Sequence, residues 1–177
     1  YSGGEKGTAI YDVVTSGTTG HAESVEITYD PSKISYGKLL QIYFSVAHNP
    51  TQLNYQGPDH GTQYRSAIFA TSDAQAEISK AYIAQLDAAK VFDAPIVTEV
   101  NPLKAFYPAE DYHQDFATLH PDHPYIAYHD IPKIRNLERL FPGHADRSPS
   151  RISTCASSSW CPRADPGWWL FKSHQPR

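Results

Sequence analysis

Asn49-Pro-Thr-Gln-Leu-Asn-Tyr-Gln-Gly-Pro-Asp-His-Gly-Thr-Gln-Tyr-Arg-Ser66 is too polar and too rich in Gly and Pro to form a helix or a buried strand. At about 18 residues it is long for a connection with no structure of its own, and such loops are usually functional or disordered. It leads straight into an alternating apolar strand, Ser66 to Thr71, which argues against disorder. Gly57 and Gly61 flank Asp59 and permit tight turns, which bring an acidic side chain and the phenol of Tyr64 toward one point. Two readings stay open here: an Ω-loop that satisfies its own backbone, or one wall of a site.

The flanking sequence alternates between strand and helix patterns. Val25, Ile27 and Tyr29 alternate with Glu26 and Thr28, a half-buried strand ended by Asp30-Pro31. Ser35 can cap a helix carrying Leu39, Leu40, Tyr43 and Phe44, with Pro50 beyond its end. Ser72 with Gln75 forms a capping box for a helix whose inner face is Ile78, Tyr82 and Leu86. Ile96 to Val100 reads as another strand, and Asn101 to Phe116 as a second polar and aromatic loop. The fold class expected is α+β: a two-layer α/β plait, ferredoxin-like and of the split-βαβ kind, with long functional loops. Its completion calls for another strand and helix ahead of Tyr1.

A chain of 177 residues and 19.7 kDa suits one domain with a real core. Its net charge of -4 and pI near 6.1 point away from nucleic acid as main partner. No apolar run has the length of a membrane span, and there is no secretory h-region. Methionine is absent, position 1 included, so a segment ahead of Tyr1 is expected. From Arg147 onward Ser, Pro and Arg dominate, and all three Trp and both Cys, Cys155 and Cys161, lie there. We therefore expect a domain over residues 1–142 and, over 143–177, an irregular tail that is disordered or unrelated.

Several residues carry candidate chemistry. Glu23, at the mouth of the first strand beside a Gly-rich turn, suits a general acid, though a surface carboxylate is the commoner case. His113 next to Glu110 and Asp111, with His120 and His123, suggests a metal, but the spacing matches no strong zinc signature. Ser16 and Ser66 lack a nucleophile-elbow context. The phenols Tyr11, Tyr64, Tyr107 and Tyr112 fall in loops, and several of them converging would make a cluster of hydrogen-bond donors.

Five motifs then occur in order: Thr19-Gly-His-Ala-Glu23, Tyr29-Asp30-Pro31, Pro50-Thr-Gln-Leu-Asn54 with Gln56-Gly57, Asp59-His-Gly-Thr-Gln-Tyr-Arg-Ser66, and Phe106-Tyr-Pro-Ala-Glu-Asp-Tyr-His-Gln114. Together they resemble the peptide-methionine (S)-S-oxide reductase family, methionine sulfoxide reductase A, from Tyr1 to about Pro142. Pro124-Tyr-Ile126 and Pro132-Lys-Ile134 resemble a C-terminal extension found in part of that family. The resemblance implies reduction of one epimer of methionine sulfoxide, free or in proteins, back to methionine. By the same resemblance Glu23 is the acid, kept protonated by partial burial, and Tyr11 and Tyr64 hold the sulfoxide oxygen. Asp59 matches the residue ordering the polar side of the pocket. No cofactor is bound; thioredoxin or a dithiol supplies the electrons to a protein expected to be monomeric and, by default, cytoplasmic.

The departures matter as much. The family's attacking cysteine lies in a Gly-Cys-Phe-Trp motif ahead of the segment that Tyr1-Ser-Gly-Gly resembles, so this stretch alone is expected not to turn over. Pro58 stands where Asn is usual, and Thr15 where many members carry a further Cys. Cys155 and Cys161 sit in a tail, where the family often keeps resolving thiols, but in surroundings unlike the family's. Two other classes remain: a non-catalytic module that binds oxidised methionine, and a metal-dependent hydrolase using His113, His120 and His123.

Overall fold

The alternation of Val25-Glu-Ile-Thr-Tyr29 produces strand β1 (Val25–Tyr29), with Ile27 and Tyr29 buried and Thr28 exposed. The computed structural model describes residues 1–144 and the backbone of residues 169–173. A four-residue helix α1 (Tyr11–Val14) precedes β1. Helix α2 (Tyr36–Ile42) starts where the Ser35 hydroxyl accepts a hydrogen bond from Lys38 N, and it runs on into a wider π turn, Tyr43–Ala47. Leu39, Leu40, Tyr43 and Phe44 are all buried against the sheet, and full burial of an aliphatic of this size stabilises by roughly 1.5–3 kcal/mol.

The long polar loop is less irregular than its composition suggests. Within it, β2 (Tyr55–Gln56) and β3 (Asp59–His60) pair antiparallel across Gly57-Pro58. Gly57 at φ 56° occupies the first central position of this two-residue turn, where a left-handed backbone is needed. Strand β4 (Ala67–Ala70) follows, buried on both faces: Ile68 toward the helices, Ala67 and Phe69 toward Ala22, Leu103 and Phe106.

Helix α3 (Asp73–Ala88) presents a face different from the one expected. Ile78 is exposed, whereas Gln75 and Ser79 are buried and Tyr82, Ile83 and Leu86 pack on the core. A polar pair sets this rotation: Ser79 Oγ meets the Tyr36 hydroxyl of α2 at 2.7 Å and donates to Gln75 O at 2.8 Å. The capping box is half made. Ser72 Oγ accepts from Gln75 N, but Gln75 Oε1 turns to Thr71 N and Oγ1 instead of Ser72 N. Strand β5 (Glu99–Pro102) begins three residues later than expected, because Ile96 N and Val97 N are spent on Asp87 Oδ1 and Pro50 O.

β4, α3 and β5 form a parallel βαβ unit, with Ala67 opposite Glu99 and Ala70 opposite Pro102. The short helix α4 (Phe116–Leu119), a π turn at Ile126–Asp130 and helix α5 (Ile131–Leu140) complete the domain, and Phe141 closes the core beneath the Lys38 ammonium. Within the tail, Trp169–Ser173 runs as strand β6 between β1 and β4, parallel to both, giving the order β1-β6-β4-β5. These five tail residues join the sheet, to which the sequence reading had added a strand ahead of Tyr1 without assigning it a position. Residues 145–168 and 174–177 lie outside the described residues. The architecture of the described residues is mixed α and β, with one four-stranded and one two-stranded sheet.

Candidate active site

Amide side chains hold the Asn49–Ser66 loop in shape. Asn49 Oδ1 accepts from Thr51 N and Oγ1, Gln56 bonds both backbone groups of Asn49, and Gln52 Oε1 accepts from Gly57 N. A loop whose own ladder is only two residues long leaves much of its backbone to be satisfied by side chains in this way. The second half reaches outward: Thr62 Oγ1 donates to Gly17 O, Gln63 Nε2 to Thr15 O, and Gln63 O accepts from Glu23 N at 2.9 Å. Arg65 donates to His21 O, Gly20 O and Thr62 O, and its Nε meets Glu99 at 3.2 Å. Gly61 sits at φ 136°, and a Cβ there would collide with the buried Gln63 side chain. The loop therefore clamps the turn that carries Glu23.

The turn is held from its other side by His21. This buried ring accepts from Gly4 N at Nδ1 (3.2 Å), which leaves Nε2 to donate to Glu5 O (3.1 Å). Burial lowers its basicity, in keeping with a neutral ring. Ser2 bridges Ala22 on one side and Phe106 on the other. Glu110 links these pieces: Oε2 accepts from the Tyr1 hydroxyl at 2.9 Å and Oε1 from Tyr11 N at 2.8 Å. Burial alone would raise this carboxyl, yet the two hydrogen bonds keep it below its ordinary value.

Between these parts lies a cavity of about 820 Å³. Glu23, Tyr11, Tyr64 and Asp59 all line it, together with Tyr1, Tyr112, His113 and, from the C-terminal segment, Tyr125, His129 and Lys133. Val25, Val46, Phe116 and Ile126 give it an apolar side. Glu23 is half-buried. Burial, followed by the charges of Glu23 and Asp59, pushes the Tyr64 phenol up to about 12. The same causes in the same order raise Tyr11. Both phenols therefore stay protonated across the physiological range and face two carboxylates: a set of fixed O–H donors beside a candidate acid.

The family described as PMSR, peptide methionine sulfoxide reductase, matches residues 1–144. The chain belongs to this family. A peptide methionine sulfoxide reductase MsrA 2 from Mesorhizobium japonicum is 64% identical over 157 residues, covering 89% of this chain and 80% of that one. The MsrA 2 of Synechocystis is 57% identical over 141 residues, covering 80% and 66%. Among solved structures, reduced Mxr1 from Saccharomyces cerevisiae has a TM-score of 0.61 at 34% identity, over 70% of each chain. Methionine sulfoxide reductase A of Corynebacterium diphtheriae has a TM-score of 0.54 at 34% identity, over 68% of this chain and 61% of that one.

The peptide methionine sulfoxide reductase motifs divide into framework and cavity residues. Thr62, Gln63, Arg65 and His21 hold backbone; Asp59, Tyr64 and Glu23 enter the cavity. Tyr11 and Tyr112, expected in loops, stand in short helical turns, and Tyr107 packs edge-on against His21 rather than lining the cavity. The histidines of the metal reading do not gather. His113 packs on Tyr11 and Tyr112, while His120 and His123 pack on Phe116, and no three His, Cys, Asp or Glu among the described residues form a ligand group. Among the described residues no helix is long and apolar enough to cross a membrane. Cys155 and Cys161 lie outside the described residues.

Sequence reading missed His48, which also lines the cavity. Its Nε2 meets Ser66 Oγ at 2.6 Å, and Ser66 Oγ meets Thr98 Oγ1 at 2.7 Å, tying the start of the long loop to its end. Burial pushes the imidazole down to about 3, with Lys133 adding to the shift and a bond with the Tyr43 backbone opposing it. Its folded value lies below the ordinary 6.5, so the unfolded chain binds the proton first. This contribution to stability is complete above about pH 6.5 and is lost as pH falls toward 3, by at most about 1.4 kcal/mol per unit. Urea unfolding at pH 7 and pH 4.5 should show that loss, and His48→Gln should reduce it. Equal pH slopes for the two proteins would contradict the assignment.

Proposed function

We propose that the cavity binds methionine (S)-sulfoxide, free or within a polypeptide, and reduces it to methionine. The observation that carries this reading is the convergence of Glu23, Tyr11 and Tyr64 on one partly apolar cavity. A sulfoxide is a polar S–O bond flanked by a methyl group and a methylene, so a site for it needs apolar walls and fixed donors for the oxygen. As a thiolate attacks the sulfur, negative charge builds on the oxygen. Glu23 gives its proton to that oxygen, and the two phenols hold it while the S–O bond breaks. The oxygen, released as hydroxide or water, then bonds to the attacking sulfur as the new S–S bond breaks, so the substrate sulfur leaves as a thioether and the attacking thiol is oxidised to a sulfenic acid. A second thiol condenses with the sulfenic acid, releasing water and forming a disulfide, which thioredoxin or another dithiol reduces.

The described residues supply the acid, the donors and the polar wall, but no thiol. In the family the attacking thiol comes from a Gly-Cys-Phe-Trp segment ahead of the position of Tyr1. On the same reading the domain is a monomeric split-βαβ plait working in the cytosol, and residues 1–177 alone do not turn over. A single-turnover experiment tests the reading. Reduced full-length protein, mixed with excess methionine (S)-sulfoxide without external thiol, should form methionine in proportion to the thiols it loses. Methionine formation without thiol loss, or no reaction at all, would overturn it.

A further inference from the structure

We infer that Tyr125 is a positioning residue that sets the orientation of Asp59, and through it the grip on the main chain around the sulfoxide; the inference rests on the function proposed above. Tyr125 OH donates to Asp59 Oδ2 at 2.5 Å across 66 residues of sequence. Asp59 stands on a hairpin with only two residues in each strand, and so short a ladder holds a side chain poorly by itself. Tyr125 is 37% exposed but is braced by neighbours on its own side. Its ring packs 4.8 Å from that of His129, and it leads into the π turn Ile126–Asp130, whose end residues are both almost fully buried.

The bond commits one carboxylate oxygen and leaves Oδ1 uncommitted. Tyr125, His129 and Lys133 extend the same cavity away from the sheet. This wall lies beyond the donors and carries polar side chains, which suits the main chain that bears a sulfoxide better than the sulfoxide itself. A phenol with its own acidity suppressed, by burial first and the bond to Asp59 next, stays a donor. Tyr125 therefore acts on substrates that possess a main chain and not on the sulfoxide group itself.

The test compares two sulfoxides on the full-length protein with dithiothreitol as reductant: N-acetyl-methionine (S)-sulfoxide methylamide, and dimethyl sulfoxide, which has no main chain. Tyr125→Phe should lower the ratio of their kcat/KM values about tenfold, chiefly through KM for the amide, the size expected for a lost charge-assisted hydrogen bond. Tyr125→Phe combined with Asp59→Asn should cost no more than Asp59→Asn alone, because Tyr125 acts through Asp59. Equal losses for both sulfoxides, or an undiminished ratio, would overturn the inference. If the wild-type protein reduces neither sulfoxide, the proposed function itself fails, and the inference fails with it.

Discussion

Glu23→Gln should lower kcat for methionine (S)-sulfoxide by about 100- to 10,000-fold in the full-length protein, with little change in unfolding midpoint. Glutamine keeps the size of the side chain and a hydrogen-bonding group, so the clamp around the turn survives: Glu23 N still donates to Gln63 O, and Arg65 still holds His21 O and Gly20 O. Only the transferable proton is lost. The sulfoxide oxygen must then leave the sulfur with help from the phenols alone, whose acidity burial and the nearby charges reduce, so they are poorer acids than a carboxylic acid. The effect belongs in kcat rather than KM, since an amide can still bind a ground-state oxygen. Steady-state kinetics with dithiothreitol measure it. A variant within threefold of wild type would remove Glu23 from the role of acid.

Removing the two phenols gives the second large effect. Tyr64→Phe and Tyr11→Phe should each lower kcat about 10- to 100-fold, the scale seen when one donor to a developing oxyanion is deleted. The double variant should lose less than the product of the single losses, because the two hydroxyls serve the same oxygen. Tyr64 is pushed up to about 12 by burial and by the charges of Glu23 and Asp59, so neither rate nor binding should show a phenol titration below pH 9. An unaltered kcat in both single variants would mean that the oxygen sits elsewhere in the cavity.

The fold was legible wherever local pattern and local chemistry agreed. β1 alternates, β4 is a short apolar run, and Ser35 and Ser72 each cap a helix through a bond to the backbone three residues on. Legibility ended where partners lie far apart in sequence. Ile78 looked like a core residue, but the Tyr36–Ser79 hydrogen bond, spanning 43 residues, turns α3 so that Ser79 faces inward. The β2–β3 hairpin is too short and too polar to leave a pattern, and β6 gains its place only from neighbours more than a hundred residues away.

The site divides the same way. Glu23, Tyr64 and Asp59 could be picked out because each sits beside glycines or inside a dense motif. Their gathering in one cavity depends on framework residues whose partners no periodicity gives: Arg65 reaching Gly20 and His21, and Glu110 joining Tyr1 to Tyr11. His48 carries no local signal, and Tyr125 only its place in Pro124-Tyr-Ile126, which assigns it no role. One is read only through Ser66, the other only through Asp59.

The most direct measurement of the central claim is epimer selectivity. Resolved (S)- and (R)-sulfoxides of N-acetyl-methionine methylamide would be offered separately to the full-length protein with dithiothreitol. On the proposed reading Glu23, Tyr11 and Tyr64, which line one cavity, hold the oxygen, and the two epimers then present their methyl and methylene groups to different walls, so only the (S) epimer should be consumed. Equal consumption of both epimers, or preference for the (R) form, would contradict the assignment of this cavity as the site of methionine (S)-sulfoxide reduction.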